Sequence, residues 1–497
     1  MGLKNFQRED YERIVQREQT PDDERYSTGF IVGSEMGTGK TAVALAVICK
    51  GLDPECPRPG QPRATLVLVP GPGVLSNWTR EITKFAPGLR VVVYHGAKRG
   101  TDVDALKKQD IILATYAQVV GQYKKYLNDE DGVMLNHPFF DFKFHRVILD
   151  EAHEIRNPET QRAKACFALC KVHGLCLTGT PAQNSARDFG SYFCFLSVRD
   201  HDLGKIDAFN DVIAQPIDDG EHGEALRILT TALSRLMIYR KLRLVAKLED
   251  RYETRIDIEM KPQERAVYNY VLTMPELLGK SSSEEDKCEE NNEKEDLAAL
   301  IPVENGQLSL PDALNDTREV FDMSYLSSKI EKTSEIIQKI RQRPGDQKTI
   351  VFAFFKLTLD ILESALKKHG IHCVQYTGEM STNQRDNALI QIRDNPKYTV
   401  ILMSLLAGAV GINVTSCSNV IIMEPWWNPY VEEQAIARAH RMGQTRGVTV
   451  YRLVVLGTIE ERIAELQEKK KNTIDRVLNN MPARLSVQEL DTLQNGL

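Results

Sequence analysis

The residues of this chain best suited to chemistry stand together in Gly37-Thr38-Gly39-Lys40-Thr41. Glycines at this spacing let backbone N–H groups close around phosphates. Lys40 offers a point charge to β and γ phosphates, and Thr41 offers a hydroxyl to Mg²⁺. The full phosphate-loop pattern has glycine where this chain has Ser34, so only its second half is satisfied. Further along stands Asp150-Glu151-Ala152-His153, behind the apolar run Val147–Leu149. An aspartate at a strand end can hold Mg²⁺ through its water shell, and the adjacent Glu151 can polarise an attacking water. By itself such a run would be an ordinary acidic strand end. With Lys40 and Thr41 upstream it reads as the second half of an ATP–Mg²⁺ site.

Those residues need a scaffold that presents strand ends. Phe30–Gly33 reads as a short strand running into the glycine turn, followed by a helix from Thr41 to Cys49. Thr65–Val69, Arg90–Tyr94, Ile111–Thr115, Val147–Leu149 and Leu175–Leu177 are short apolar or β-branched runs, the pattern of buried parallel strands. The four prolines between Asp53 and Arg63 mark an exposed loop. Between Arg187 and Phe321 the pattern is mixed and more helical. A second α/β series starts near Lys329, with strands at Thr349–Phe354, Cys373–Thr377, Thr399–Met403 and Asn419–Met423. Ile459 to Asn480 reads as a long charged helix able to strap across a lobe. The fold class is therefore α/β: two lobes, each a parallel sheet flanked by helices, with helical insertions and an acidic disordered segment between them.

Composition agrees. The 497 residues are 42% hydrophobic and 27% charged, in the range of globular domains. No apolar run approaches the roughly 20 residues that cross a bilayer, and the N-terminus carries no signal-peptide pattern. None of the nine cysteines forms a CxxC, so neither a zinc knuckle nor a RING-type module is suggested. The net charge of -6 is not the basic balance common among DNA-binding chains, but local patches decide such binding. Much of the acid is confined to Glu284–Asp296, where eight acidic residues face two lysines; this stretch reads as a mobile insertion.

Three motifs resemble those of the SNF2 family of ATP-dependent DNA translocases: Asp150–His153, Leu177-Thr-Gly-Thr-Pro-Ala-Gln-Asn184, and Gln434-Ala-Ile-Ala-Arg-Ala-His-Arg-Met-Gly-Gln444. Leu66–Pro70 with Asn77-Trp78, Thr115-Tyr116, Thr349–Phe352 and Ser404–Thr415 are similar to further motifs of that family. Glu424-Pro-Trp-Trp-Asn-Pro429 most resembles the branch of Rad5, Rad16 and transcription termination factor 2. The resemblance implies two RecA-like lobes, at 1–240 and 329–480. Between them would lie a helical insertion at 241–328 with a mobile acidic linker at about 277–320, and residues 481–497 would form a C-terminal tail.

It also implies roles. Gln7 would read adenine. Gly37, Thr38, Gly39, Lys40, Thr41, Asp150, Gly411 and Gln434 would bind nucleotide, with Thr41 and Asp150 holding Mg²⁺. Lys40, Glu151, Arg438 and Arg441 would be catalytic. The spacing of three puts both arginines on one face if the segment is helical. Trp78, Thr115, Thr180, Thr415 and Trp427 would lie along the nucleic-acid track, although for the threonines a strand-end or capping role is as good a reading. The implied partner is double-stranded DNA, alone or in nucleosomes and other DNA–protein complexes, met by a monomeric motor in the nucleus that could be part of a larger protein or complex. Departures from the family are Ser34, Leu406, Ala409 and Tyr239. Leu406, Ala409 and the net charge of -6 leave open a nucleotide-gated DNA-binding scaffold with weak or lost ATPase, and the shared two-lobe plan leaves open an RNA helicase.

Overall fold

The computed structural model describes residues 2–19, 29–51, 63–94, 103–129, 137–182, 185–220, 222–242, 248–272, 320, 325–345, 347–408 and 412–468. The chain divides into two compact units, one within Met1–Ala246 and one within Lys247–Lys469. The acidic run Glu284–Asp296, Gly411, Ala409 and the tail beyond 468 lie outside the described residues.

The first unit is built on seven parallel strands: β1 (Phe30–Val32), β2 (Thr65–Val69), β3 (Val91–Tyr94), β4 (Ile111–Thr115), β5 (Phe144–Asp150), β6 (Lys171–Leu177) and β7 (Met237–Ile238). Their order across the sheet is β3-β4-β2-β5-β6-β1-β7. Strands β1, β2 and β4 are buried at every position, as continuous apolar runs must be when helices cover both faces. The helix Lys40–Gly51 buries Val43, Ala44, Leu45, Val47 and Ile48 in this core, and the helix Pro72–Phe85 buries Val74, Leu75, Trp78 and Ile82. Each large side chain so covered contributes about 1.5–3 kcal/mol. Register decides what the sheet positions. Leu177 of β6 pairs with Val32 on one side and with Asp150 on the other. The glycine turn and the acidic motif therefore leave the same sheet edge, one strand apart, where ligands of open α/β sheets bind.

The second unit carries six parallel strands: β8 (Arg251–Ile258), β9 (Thr349–Ala353), β10 (His372–Tyr376), β11 (Tyr398–Ser404), β12 (Asn419–Ile422) and β13 (Val448–Val455), ordered β10-β11-β9-β12-β13-β8. Strand β8 corrects the sequence reading, which placed 251–258 in a helical insertion. It pairs along its whole length with β13 but has only that neighbour, so most of it is exposed and its composition is charged. An edge strand of this kind lacks the apolar run that marks a buried one. Arg452 of β13, Arg251 and Glu253 of β8, and Glu432 and Glu433 of the helix Pro429–Ile436 form one ion cluster. Glu432 is fully buried in it. Residues 459–468 are helical, the described part of the expected strap. Gln467 on it donates to the Trp426 carbonyl and to Glu432 Oε1. Among the described residues no helix is long and apolar enough to cross a membrane.

Candidate nucleotide site

In the first unit Gly37 and Gly39 adopt φ of 81° and 84°, the left-handed region that glycine enters without steric cost. Between them the Thr38 hydroxyl donates to the Glu35 carbonyl at 2.9 Å, which folds the turn on itself. The helix Lys40–Gly51 begins at once, so the positive end of its dipole faces the turn. Lys40 Nζ donates to the Ser34 carbonyl at 2.9 Å and lies near the Glu35 carbonyl at 3.4 Å. Thr41 is half-buried in the first helical turn.

Gln7 reaches this turn from the helix Asn5–Gln19, an element not read from the sequence. Its Nε2 donates to the Thr38 carbonyl at 2.8 Å, and its Oε1 accepts from the Lys4 N–H at 3.0 Å. A Cβ on Gly39 would run into Gln7 Nε2, so the glycine is needed for close approach as well as for its φ. The same helix is fastened to the end of β7 by the buried Asp10–Arg240 pair, extended by Glu9.

Asp150 is buried at the end of β5 and gripped on every side. Trp78 Nε1 donates to its Oδ2 at 2.7 Å, the Glu151 N–H to its Oδ1 at 3.1 Å, and the Tyr116 hydroxyl to its backbone carbonyl at 3.0 Å. Burial, then the Glu151 charge, raises the Asp150 carboxyl to about 7 against the opposing pull of Trp78 and Lys40. Glu151 sits at φ 52°, ψ 56°, a left-handed conformation that costs a non-glycine residue about 1–2 kcal/mol. Its Oε2 is buried with no hydrogen-bond partner, and His153 Nδ1 lies 3.5 Å from it. His153 Nδ1 is also 3.5 Å from the Thr178 hydroxyl, which accepts from the Thr180 N–H at 3.1 Å. Gly179 packs close, since a Cβ there would meet Met36 and come 3.5 Å from Lys40 Nζ. Three separated motifs thus share one edge.

The donor set suits Mg²⁺: hard oxygens, one carboxylate and one hydroxyl, with each Asp150 oxygen holding a single hydrogen bond and keeping a lone pair. Among the described residues no three His, Cys, Asp or Glu side chains could hold a metal by themselves. A site completed by substrate phosphates is built this way.

Several expected nucleic-acid residues are elsewhere. Trp78 is buried and spends its indole N–H on Asp150, so it has no face left for DNA. The helix periodicity that buries Val74, Leu75 and Ile82 turns Trp78 inward with them. Thr115 is buried as the N-cap of the helix Tyr116–Leu127, and its N–H donates to Gln118 Oε1 at 2.8 Å; this is the capping reading. Thr180 is buried as well. Thr415 and Trp427 are half-buried in the second unit; Trp427 lies 5.6 Å from Trp426, ring centre to ring centre.

In that unit Gln434 is buried on the helix Pro429–Ile436 and its Nε2 has no hydrogen-bond partner. The helix ends at Ile436, so Arg438 and Arg441 do not share a helix face as expected. They lie in the turns that follow, where the Ala439 N–H bonds back to Ile436 and Gly443 takes φ 98°. Arg438 is buried, and Arg441 donates to the Ile412 carbonyl at 3.2 Å. Gln444 is wholly engaged: Nε2 donates to Cys417 and Ala439 carbonyls, and Oε1 accepts from the Thr445 and Arg446 N–H groups. It folds the turn.

The family model described as the SNF2-related domain matches residues 7–301. The chain belongs to that family. The helicase conserved C-terminal domain matches residues 328–443, and the two units are its RecA-like lobes, each a parallel sheet flanked by helices. An uncharacterised ATP-dependent helicase of Schizosaccharomyces pombe is 27% identical over 95% of this chain and 61% of its own length. DNA repair protein RAD5B of Arabidopsis thaliana is 26% identical, covering 96% of this chain and 47% of its own. The putative helicase/translocase YwqA of Bacillus subtilis is 27% identical over 94% and 48%. The chain thus spans about half to three-fifths of these relatives' length, and no branch of the family stands above the others. Among solved structures, the Sulfolobus solfataricus SWI2/SNF2 ATPase core in complex with double-stranded DNA matches at 25% identity. That match covers 97% of this chain and 94% of that one, with a TM-score of 0.44.

Proposed function

We propose that this chain is a DNA-stimulated ATPase that couples ATP hydrolysis to movement along double-stranded DNA and so remodels chromatin or other DNA–protein complexes. One observation carries the reading: the glycine turn with Lys40 and the Asp150–Glu151 pair leave one sheet edge on either side of β6, within a chain of the SNF2-related family. In it the turn's N–H groups and Lys40 bind the β and γ phosphates, exchanging the Ser34 carbonyl that Lys40 now holds for phosphate oxygens. Thr41 and Asp150 would hold Mg²⁺, which would supply positive charge against the phosphates. Glu151, with one carboxylate oxygen buried and unpartnered, orients the attacking water. Gln7 reads adenine; Gln434, Gly411, Arg438 and Arg441 supply the second lobe's share of nucleotide contacts and the cationic charge for the transition state.

Thr415 and Trp427 remain the candidates for the DNA track, whereas Thr180 is buried with its N–H on the Thr178 hydroxyl. Contacts to the phosphate backbone read no sequence. The Glu424–Pro429 stretch supports a place near the Rad5, Rad16 and termination factor 2 branch, and relatives named as DNA repair proteins support a nuclear setting. ATP turnover measured with no nucleic acid, duplex DNA, single-stranded DNA and duplex RNA tests the reading. Strongest stimulation by duplex DNA is expected. Stimulation by RNA alone would overturn the substrate, and no turnover in any arm would leave a nucleotide-gated scaffold.

A further inference from the structure

The indole of Trp78 is one of the largest fully buried side chains among the described residues, and its one polar atom is spent on another side chain. Nε1 donates to Asp150 Oδ2 at 2.7 Å, within the range of a charge-assisted bond. An indole N–H is a donor only, so it can pair with the carboxylate but cannot itself ligate a cation. Two further bonds complete the cradle. The Glu151 N–H fixes Oδ1 and the Tyr116 hydroxyl fixes the Asp150 carbonyl. Trp78 lies on the helix that follows β2 and Tyr116 opens the helix that follows β4, so the elements next along the sheet from β5 both close on this one residue. The Asp150 carboxylate thereby has a single orientation before any metal arrives, with one lone pair on each oxygen left over.

We infer that Trp78 is a positioning residue for the metal site: its indole N–H orients and holds the Asp150 carboxylate that receives Mg²⁺. The inference rests on the proposed role of Asp150 as the Mg²⁺-holding carboxylate. Partners in the outer shell of a metal site typically cost 10–100-fold in metal affinity when removed, about the size of effect expected here.

The test replaces Trp78 by benzothienylalanine, which keeps the fused ring and its volume but puts sulfur where the N–H was; Trp78→Phe is the second variant. Affinity for a fluorescent ADP is measured in EDTA and across a Mg²⁺ titration, beside the Mg²⁺ dependence of ATP turnover. Asp150→Asn serves as the reference. The expected result is a shift of about ten-fold in the Mg²⁺ concentration needed for half-maximal effect in both measurements, with ADP affinity in EDTA and the melting temperature of the isosteric variant unchanged. An isosteric variant with the parent's Mg²⁺ dependence, while Asp150→Asn shifts it, would overturn the inference and leave the indole a packing group. If Asp150→Asn itself leaves the Mg²⁺ dependence unmoved, the underlying assignment of Asp150 fails and the inference falls with it. Equal weakening with and without Mg²⁺ would likewise mark a general structural role and reject it.

Discussion

At the scale of single residues the site is defined by side chains held in place before substrate arrives. Lys40 already bridges the carbonyls that outline the phosphate turn, so Lys40→Ala removes the charge and loosens the turn together. Turnover should be abolished, and a near-parental kcat in the folded variant would contradict the nucleotide assignment. Glu151 is a different case. Its left-handed backbone and unpartnered Oε2 are costs the protein carries at one position, which is where function stores strain. Glu151→Gln keeps the shape and loses the charge, so nucleotide affinity should stay within a few-fold while turnover falls by about 10²–10⁴. Calorimetric titration with ADP beside steady-state kinetics separates the two; loss of affinity instead of rate would show that Glu151 binds and does not catalyse.

At the scale of elements the clearest liability is the ion cluster where β13, β8 and the helix Pro429–Ile436 meet. Glu432 is buried there against Arg452, and burial disfavours the arginine's charge while Glu253 sustains it. Arg452→Ala leaves a buried carboxylate unpaired and should cost about 3–5 kcal/mol in denaturant unfolding of the protein. A loss under 1 kcal/mol would mean the cluster is a surface network. Between Leu272 and Val320 the chain carries the acidic run Glu284–Asp296. The elements flanking it are pinned together: Glu264 accepts from the Ser328 N–H at 2.7 Å and from the Tyr325 hydroxyl at 3.1 Å, and Lys261 donates to the Leu326 carbonyl at 2.9 Å. Deleting Ser281–Asp296 should leave the melting temperature and basal turnover unchanged, because the ends it joins are fixed independently of it. A large fall in melting temperature would show that the segment packs.

The same elements show what sequence could and could not reveal. Buried strands such as Thr65–Val69 and Asn419–Ile422 are legible as apolar runs, and the glycine turn and acidic motif announce their chemistry by residue type. Strand β8 is not legible, because an edge strand has one neighbour and a charged composition. The burial of Trp78 is not legible either, because the resemblance puts it on the DNA track and only the helix's phase shows that the indole turns inward. Arg438 and Arg441 were placed on a helix since spacing alone cannot show that the helix stops at Ile436. Nothing in residue types signals the φ of Glu151.

At the scale of the molecule, hydrolysis as proposed draws on residues of both lobes, Lys40 and Glu151 of one and Arg441 of the other. Arg441→Ala should therefore spare ATP binding and collapse DNA-stimulated kcat, by about 10³ if it acts as trans-supplied arginines do. A loss of only a few-fold would reduce it to the turn-stabilising contact it makes with Ile412. Stimulated hydrolysis alone does not prove movement, and movement is the central claim. The direct measurement is displacement of a third strand from a triplex placed at varying distances along duplex DNA, with saturating ATP and Mg²⁺. Movement along the duplex predicts ATP-dependent displacement by the parent whose lag grows with distance, and none by Glu151→Gln. An intact triplex under conditions where duplex DNA stimulates turnover would contradict it, leaving an ATPase gated by DNA that does not travel.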